Sequence, residues 1–381
     1  SSLDEELVSI ENETIIQITP SGNLGRGDKH SIVTVPAGGS VTLRITVPYF
    51  GGDILYFYGS TLWRTDLSDL EFRIKSPVGS EILLDYSTWY VDNYYVWHDF
   101  DTSSRGTSKF DFYIDRNTNA NAQGTWELTV TNTTLTPVEV VSNVADHLSS
   151  WAGGAEFLDY ATDQRNVTFP ATADSSFTNG SYSTRGFEGY DGVGGGTVPP
   201  GEIAAFSGRG VRIDGKHLLS ICSPGNYDVY STRTSQDGSS TYPPGSYRQF
   251  SGTSAAGPFV AAAAALVQQA YPQATAADVA TLLSVNALED GFTGTVYNDT
   301  WGYGKLRILG AIGITTGVED MADGLIPPAL MLGQNYPNPF NPTTWIPFYL
   351  PSDGMASLSI YNVKGELVVR LRDLYYQKGP H

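Results

Sequence analysis

The amino-acid sequence predicts an α/β unit that is split by an inserted all-β sandwich and followed by a small β-rich tail. Three observations lead there. Residues 31–135 alternate apolar and polar side chains at period two between Gly, Pro, Asn and Asp turns, as antiparallel strands with one buried face do. After about residue 165, Gly-rich loops such as Gly189 to Gly196 separate short strands. They lead to one strong helix at 258–271, alanine-rich, with Pro258 in its first turn and Pro272 just past its end. From Gln334 a second, smaller β-unit runs for three or so strands to His381.

Composition agrees with that division. A chain of 381 residues exceeds one average domain, so two or three units are expected. With 40% hydrophobic and 16% charged residues it is globular in composition. Its 41 glycines, 21 prolines and 23 tyrosines favour turns and half-buried strands over long helices. The net charge of −18 argues against nucleic acid as a partner, because no Lys/Arg cluster is present to displace counterions from phosphates. An acidic surface with few lysines fits a protein that works outside the cell.

Cys222 is the single cysteine, which excludes an intrachain disulfide and a CxxC metal site. Its apolar neighbours Leu218, Leu219 and Ile221 suggest a buried strand and an inert thiol. No apolar stretch reaches the ~18–20 residues that cross a bilayer, so no transmembrane segment is expected. No signal peptide opens the chain, and Ser1 to Glu6 reads as the middle of a helix in a longer precursor.

In chain order, residues 3–19 read as an acidic helix and a short apolar strand, Thr14–Ile18, before the loop Ser21-Gly22-Asn23-Leu24-Gly25. The sandwich strands follow, clearest at 40–47, 70–74, 109–114 and 125–130. Beyond the strong helix, Thr275 is placed to cap a second one at 275–287, with Asp278 where a capping-box acid sits. Residues 316–332 are a loose linker.

The segment richest in chemistry is Ser251-Gly252-Thr253-Ser254-Ala255-Ala256-Gly257-Pro258. A serine at the mouth of a small-residue helix lies at the positive end of the helix dipole, and its N–H points where an oxyanion would form. An ordinary Ser/Thr cap on a core helix is the plainer reading of a bare Gly-Thr-Ser. The full string with its proline is more specific, and Gly252-Thr253-Ser254-x-Ala256-x-Pro258 resembles the nucleophile motif of the subtilisin-like serine proteases. Other stretches resemble that family in order: Thr168-Phe169-Pro170-Ala171-Thr172-Ala173, Phe206 to Gly210, Ser223-Pro224-Gly225, and Trp301-Gly302-Tyr303-Gly304-Lys305. Ser21 to Gly25 then falls where the family has its A-G-N-x-G loop. The resemblance makes Asn23 the oxyanion-hole asparagine, partner of the Ser254 N–H, with Gly252 and Thr253 as motif residues. The family's usual Met and His are replaced here by Ala255 and Phe259, both packing positions.

The resemblance also implies a subtilisin-like parallel-sheet fold, incomplete in this chain, at 1–30 and 150–315. Between them the surplus at 31–149 is similar to the jelly-roll insertion of some bacterial subtilases. The stretch has no D-[ST]-G motif at a strand end and no H-G-T motif opening a helix, so the acid and base are expected from residues before Ser1. Of the histidines His30, His98, His147, His217 and His381, each reads more as a solvated loop residue than as a base. His98 is in a β-rich segment as a surface or half-buried residue, His217 is in a loop, His381 ends the chain, and His30 is close enough to Asn23 in sequence to border the cleft. Leu332-Gly333-Gln334-Asn335-Tyr336-Pro337-Asn338-Pro339-Phe340-Asn341-Pro342-Thr343-Thr344 resembles the opening of a type IX secretion sorting domain, which makes 333–381 a truncated Ig-like module.

A secreted or bacterial cell-surface serine endopeptidase is therefore expected, working by an acyl-enzyme mechanism, inactive as this chain alone. Its partners would be a peptide or protein substrate, the N-terminal half of the catalytic domain and the type IX secretion machinery. An inactive pseudoprotease, or a β-rich surface or adhesion scaffold, remains the alternative. The cofactor is unknown: the family leaves calcium open, and no loop shows the carboxylate spacing of a calcium site.

Overall fold

The computed structural model describes residues 16–48, 56–116, 122–147, 154–184, 187–188, 197–226, 229–232 and 247–313. In the C-terminal stretch it describes 331–332, 346, 348–350, 352–362, 364–376 and 379–380. The expected acidic helix, the Gly189 to Gly196 loop, residues 316–330 of the linker, the 333–344 motif and His381 lie outside them.

A three-stranded parallel sheet forms the centre of the α/β unit. Strand β1 (Gln17–Pro20) pairs with β13 (Ser176–Tyr182), which pairs with β16 (Leu219–Pro224). Of the strand expected at Thr14–Ile18, Gln17 and Ile18 fall in β1, which runs on to Pro20 because its register pairs Gln17 with Ser176 and Pro20 with Asn179, and Thr14 and Ile15 lie outside the described residues. Helix α1 (Thr253–Ala270) lies across all three strands. Its buried side chains Val260, Ala263, Ala264 and Val267 recur at helical spacing and meet Phe177 and Ile221 of the sheet. Small residues let the helix approach the strands closely, so it carries little bulk on that face.

Helix α1 begins five residues before the expected start, and Pro258 is inside it, past the first turn. Proline is tolerated there at the loss of one bond, since the missing N–H would have gone to the Ser254 carbonyl. What fixes the earlier start is Gly252, at φ 113°, followed by a side chain that binds the Thr253 N–H. Helix α2 (Ala276–Val285) has the expected cap: the Thr275 hydroxyl accepts from Asp278 N–H at 3.2 Å and Thr275 N–H donates to the Asp278 carboxylate at 2.9 Å. Helix α3 (Ile308–Ala311) closes the unit, and buried Val279, Leu283 and Ala311 join its core to α1.

The inserted unit is built of antiparallel pairs in two sheets. One orders β12 (Glu156–Phe157), β3 (Ser40–Val47), β10 (Gly124–Asn132), β5 (Leu70–Lys75) and β6 (Glu81–Leu83). The other orders β2 (His30–Val35), β11 (Val138–Asp146), β4 (Tyr56–Trp63), β9 (Ser108–Arg116), β8 (Tyr94–Thr102) and β7 (Tyr90–Val91). Pairing therefore starts at His30 and extends to Phe157, past the expected limit of 149, because Glu156 and Phe157 add an edge to β3. Period-two alternation delivers Leu43, Ile45, Phe57, Trp63, Phe72, Phe110 and Trp126 to a shared interior where each is fully buried. Phe72 and Phe110 stack with ring centres 4.1 Å apart. The Trp126 indole, though buried, donates to the Ala122 carbonyl at 2.9 Å, so no polar group is orphaned there.

The C-terminal strands pair among themselves. Strand β20 (Phe348–Leu350) lies between β19 (Met331–Leu332) and β23 (Gly379–Pro380), and β21 (Gly354–Tyr361) pairs with β22 (Leu367–Tyr376) as a hairpin. Its apolar side chains are open to solvent: Met355, Tyr361, Leu367, Val368 and Tyr375 are each more than half exposed.

Candidate active site

Asn23 and Thr253, 230 positions apart, meet at the mouth of α1. The Asn23 Oδ1 accepts from the Thr253 N–H at 2.8 Å and from the Thr253 hydroxyl at 2.9 Å. A backbone N–H can only donate, so the oxygen of the amide must face Thr253 and its Nδ2 must face away. Ser254 is the second residue of α1 and is exposed. Its own N–H falls among the first-turn donors that have no acceptor within the helix. A fixed asparagine amide, a free first-turn N–H and an exposed hydroxyl are thus gathered at one helix N-terminus.

The strands below hold that turn in place. Gly252 N–H donates to the Gly225 carbonyl at 2.7 Å, and the Ser223 hydroxyl donates to the Ala256 carbonyl at 2.8 Å. A side chain at Gly225 would meet the Ala256 methyl at 2.7 Å and the Gly252 carbonyl at 2.8 Å, so only glycine lets α1 seat here. From the central strand, fully buried Asn179 donates to the Thr253 carbonyl at 3.3 Å. Sequence reasoning missed Asn179. Its Asn179-Gly180 pair carries the signature of a turn, and only the parallel pairing on both sides makes it a strand. Of the predicted site residues, Asn23, Gly252, Thr253 and Ser254 are therefore brought together.

The described histidines are occupied elsewhere, and among the described residues none hydrogen-bonds the Ser254 hydroxyl. His30 does not border the cleft: it is buried on β2 with Nδ1 against Asn143 Oδ1 at 2.8 Å. His98 is likewise buried rather than on the surface. Its Nε2 accepts from Tyr86 N–H at 2.9 Å and its ring stacks on Tyr86 and Trp89. Period-two alternation points His98 inward with Val96, whereas His30 is on the outer face of β2 with Ile32 and Thr34 and is buried there in a cavity shared with Asn143 and Arg165. His147 lies against Tyr56, and exposed His217 pairs with Asp299 at 2.7 Å. Among the described residues no group of three or more His, Cys, Asp or Glu could hold a metal ion. Cys222 is buried on β16, and burial pushes its thiol up to about 12.

Burial holds His30 neutral, lowering it to about 4, with Arg165 adding to the effect against the opposing Asn143 bond. The unfolded chain protonates this histidine near its ordinary value of 6.5, so between about 4 and 6.5 the unfolded state binds the extra proton. Stability from this group is full above 6.5 and is lost as pH falls toward 4, by at most about 3 kcal/mol. Urea midpoints from pH 7 to 4 are expected to fall more steeply for the native chain than for His30→Gln. Parallel curves would remove His30 as a source of acid sensitivity.

A parallel sheet crossed by a small-residue helix, with an exposed serine in the first turn and an asparagine amide beside it, is the frame of a serine hydrolase site. The model of the subtilase family, Peptidase S8, matches residues 103–304, and the chain belongs to that family. It is 32% identical over 162 residues to subtilisin DY of Bacillus licheniformis, a match covering 40% of this chain and 49% of that protein. The chain thus spans about half the length of the curated relative it matches. Among solved structures, the CspB protease of Clostridium perfringens superposes with a TM-score of 0.62 at 18% identity, over 82% of this chain and 62% of that one. That share is too large for the parallel-sheet unit alone, so the likeness in fold takes in much of the sandwich.

Proposed function

We propose that this chain supplies the nucleophile and oxyanion site of a serine endopeptidase. The observation that carries the reading is the Asn23–Thr253 tie, which holds the Asn23 amide at the mouth of α1, one residue before the exposed first-turn Ser254. Ser254 Oγ attacks a peptide carbonyl, and the Ser254 N–H and Asn23 Nδ2 stabilise the tetrahedral oxyanion. The acyl-enzyme then releases its acyl group to water. The histidine base and its aspartate come from a segment outside this sequence.

Two features support such a segment. Strand β1 has one sheet neighbour, β13, among the described residues. Beside Ser254, helix α1 carries an exposed apolar stripe of Pro258, Phe259, Ala261, Ala262, Ala265 and Leu266, with Phe259 39% and Leu266 42% open. Small residues exposed along a helix suit close packing of further backbone against them. A subtilase N-terminal half, carrying D-[ST]-G and H-G-T motifs, is the partner that fits.

The test is labelling of a longer form of the protein, one that includes such a segment, with a serine-directed phosphonate. Adduct on the peptide bearing Ser254, absent in Ser254→Ala, is expected. Adduct on another serine, or none from a form with both motifs present, would overturn the assignment and leave the scaffold reading.

For the units outside the site, the sandwich is an insertion into the catalytic domain and residues 333–381 are an Ig-like sorting module for type IX secretion. The latter rests on the Gln334 to Thr344 motif and the apolar hairpin at 354–376. It makes the protein secreted or surface-held. In a bacterium with that secretion system, a reporter carrying the complete native tail should reach the medium or surface. Equal export of the reporter without the tail would refute the reading.

A further inference from the structure

The outer face of the six-stranded sheet carries aromatic side chains in register. Along β8, Val96 and His98 point inward, so Tyr95, Trp97, Asp99 and Asp101 point outward. Pairing then aligns Trp97 with Tyr113 on β9 and Tyr113 with Tyr58 on β4. The next rung toward one end aligns Tyr90, Tyr95, Asp115 and Tyr56 across four strands. Adjacent strands are ~4.8 Å apart and alternate residues ~6.8 Å, so the two rungs make a platform ~10–14 Å by ~7 Å. Tyr58 is 46%, Tyr90 55% and Trp97 39% exposed, an unusual concentration of large rings on one open surface.

Carboxylates border the rings. On the two rungs beyond Trp97, Asp99 faces Asp111 and then Asp101 faces Lys109, and Asp115 stands between Tyr95 and Tyr56. The Lys109 ammonium is tied to Asp111 at 2.5 Å, so the platform is acidic on balance. Further along the same face the surface is taken: Leu62, Val141 and Asn143 line a cavity of about 80 Å³ shared with Arg165, Val167 and Arg212 of the α/β unit. The aromatic end is the part of this face left open.

We propose that this platform binds an uncharged polysaccharide chain. Sugar rings present flat C–H faces that stack on Trp and Tyr, and their hydroxyls donate to carboxylates, which ionised can only accept. The acidic border repels phosphodiesters and polyanionic glycans. A peptide that binds as an added β-strand needs a sheet edge for its N–H and C=O groups, and a sheet face offers none. A polysaccharide has no such backbone to satisfy. Placed on the inserted sandwich, the platform would hold the protein on a glycan matrix, independently of what Ser254 does.

The test uses the full chain against cellulose, chitin, mannan and β-1,3-glucan, with pectate and a lysine-rich peptide as charged comparisons. Retention on at least one uncharged polymer, unchanged in 1 M salt, is expected. A Trp97→Ala/Tyr58→Ala variant should lose it at least tenfold, and Ser254→Ala should keep it. A urea midpoint in the double variant close to native would show that folding survives; if it does not, Trp97→Gln alone should give the same loss. Retention on none of the uncharged polymers overturns the proposal, as does equal retention of the folded variant. Salt-labile capture of the lysine-rich peptide only would make the surface a site for cations instead.

Discussion

The 381-residue chain on its own is expected to hydrolyse a peptide amide no faster than its Ser254→Ala variant. A serine hydroxyl is a weak nucleophile until a hydrogen-bonded base takes its proton. Among the described residues no histidine offers one: His98 is buried in the sandwich, His30 is buried where the sandwich meets Arg165 and Arg212, His147 packs on Tyr56, and His217 pairs with Asp299. In subtilisin the triad as a unit contributes about 2 × 10⁶ in turnover, and what remains without it is about 10³–10⁴ over water. A residue of that size falls below ordinary peptide assays. The measurement is initial rates for the native chain and Ser254→Ala at matched concentration, with active-site titration to exclude a contaminating protease. Ser254-dependent turnover would mean that a base is present in this sequence, and His381 would become the first residue to substitute.

The same experiment gains force when a segment carrying the missing acid and base is added in trans. The exposed α1 stripe from Phe259 to Leu266 is a surface that a half-domain could cover. A half-domain that brings a histidine to Ser254 would leave intact the Asn23–Thr253 tie, which already exists in this chain. In the proposed reading this chain carries the oxyanion half of the site, and proton transfer belongs to a segment added to it.

The sequence was most legible where one local rule decided the outcome. Period two in 40–47 and 125–130 gave strands β3 and β10, since alternate side chains had a core to enter. Thr275 and Asp278 gave the start of α2, because a capping box involves only neighbours. Long-range partners moved the other boundaries. Helix α1 starts at Thr253 because Asn23, from the far side of the insertion, takes the Thr253 N–H. Strand β1 runs on to Pro20 because β13 sets its register, and Asn179 hides in a strand that reads locally as a turn. The histidines were misjudged for a related reason. Polar residues are presumed exposed, yet His98 finds its partner in the Tyr86 N–H and its packing between two rings.

Reading Asn23 from an Asn-Gly-like loop alone would have favoured a turn; its placement depends on the parallel sheet. Ser21 N–H donates to the Asn179 carbonyl at 2.9 Å and Gly25 N–H to the Phe206 carbonyl at 2.8 Å, so the loop is pinned on both sides of Asn23. A long insertion right after it is tolerable because closing a loop costs only ~0.6 kcal/mol per doubling of length. The sandwich therefore leaves from a loop that is already fixed around Asn23.

That anchoring permits a substitution that separates the chemical part of Asn23 from its structural part. In a catalytically complete form, Asn23→Asp keeps an oxygen for the Thr253 N–H and hydroxyl, so α1 should stay seated and the urea midpoint should change little. It removes the Nδ2 donor and sets a negative charge beside the developing oxyanion. Loss of the equivalent donor in subtilisin costs about 10²–10³ in turnover, and the added charge should bring kcat to that level or below it. KM should move little, because the donor meets charge that appears only in the transition state. Asn23→Ala should lower kcat similarly but also destabilise the mouth of α1, by about 1–3 kcal/mol for the unpaired buried Thr253 groups. A kcat for Asn23→Asp within a few-fold of native, with stability retained, would reduce Asn23 to a tie for the helix and leave the Ser254 N–H to stabilise the oxyanion without it.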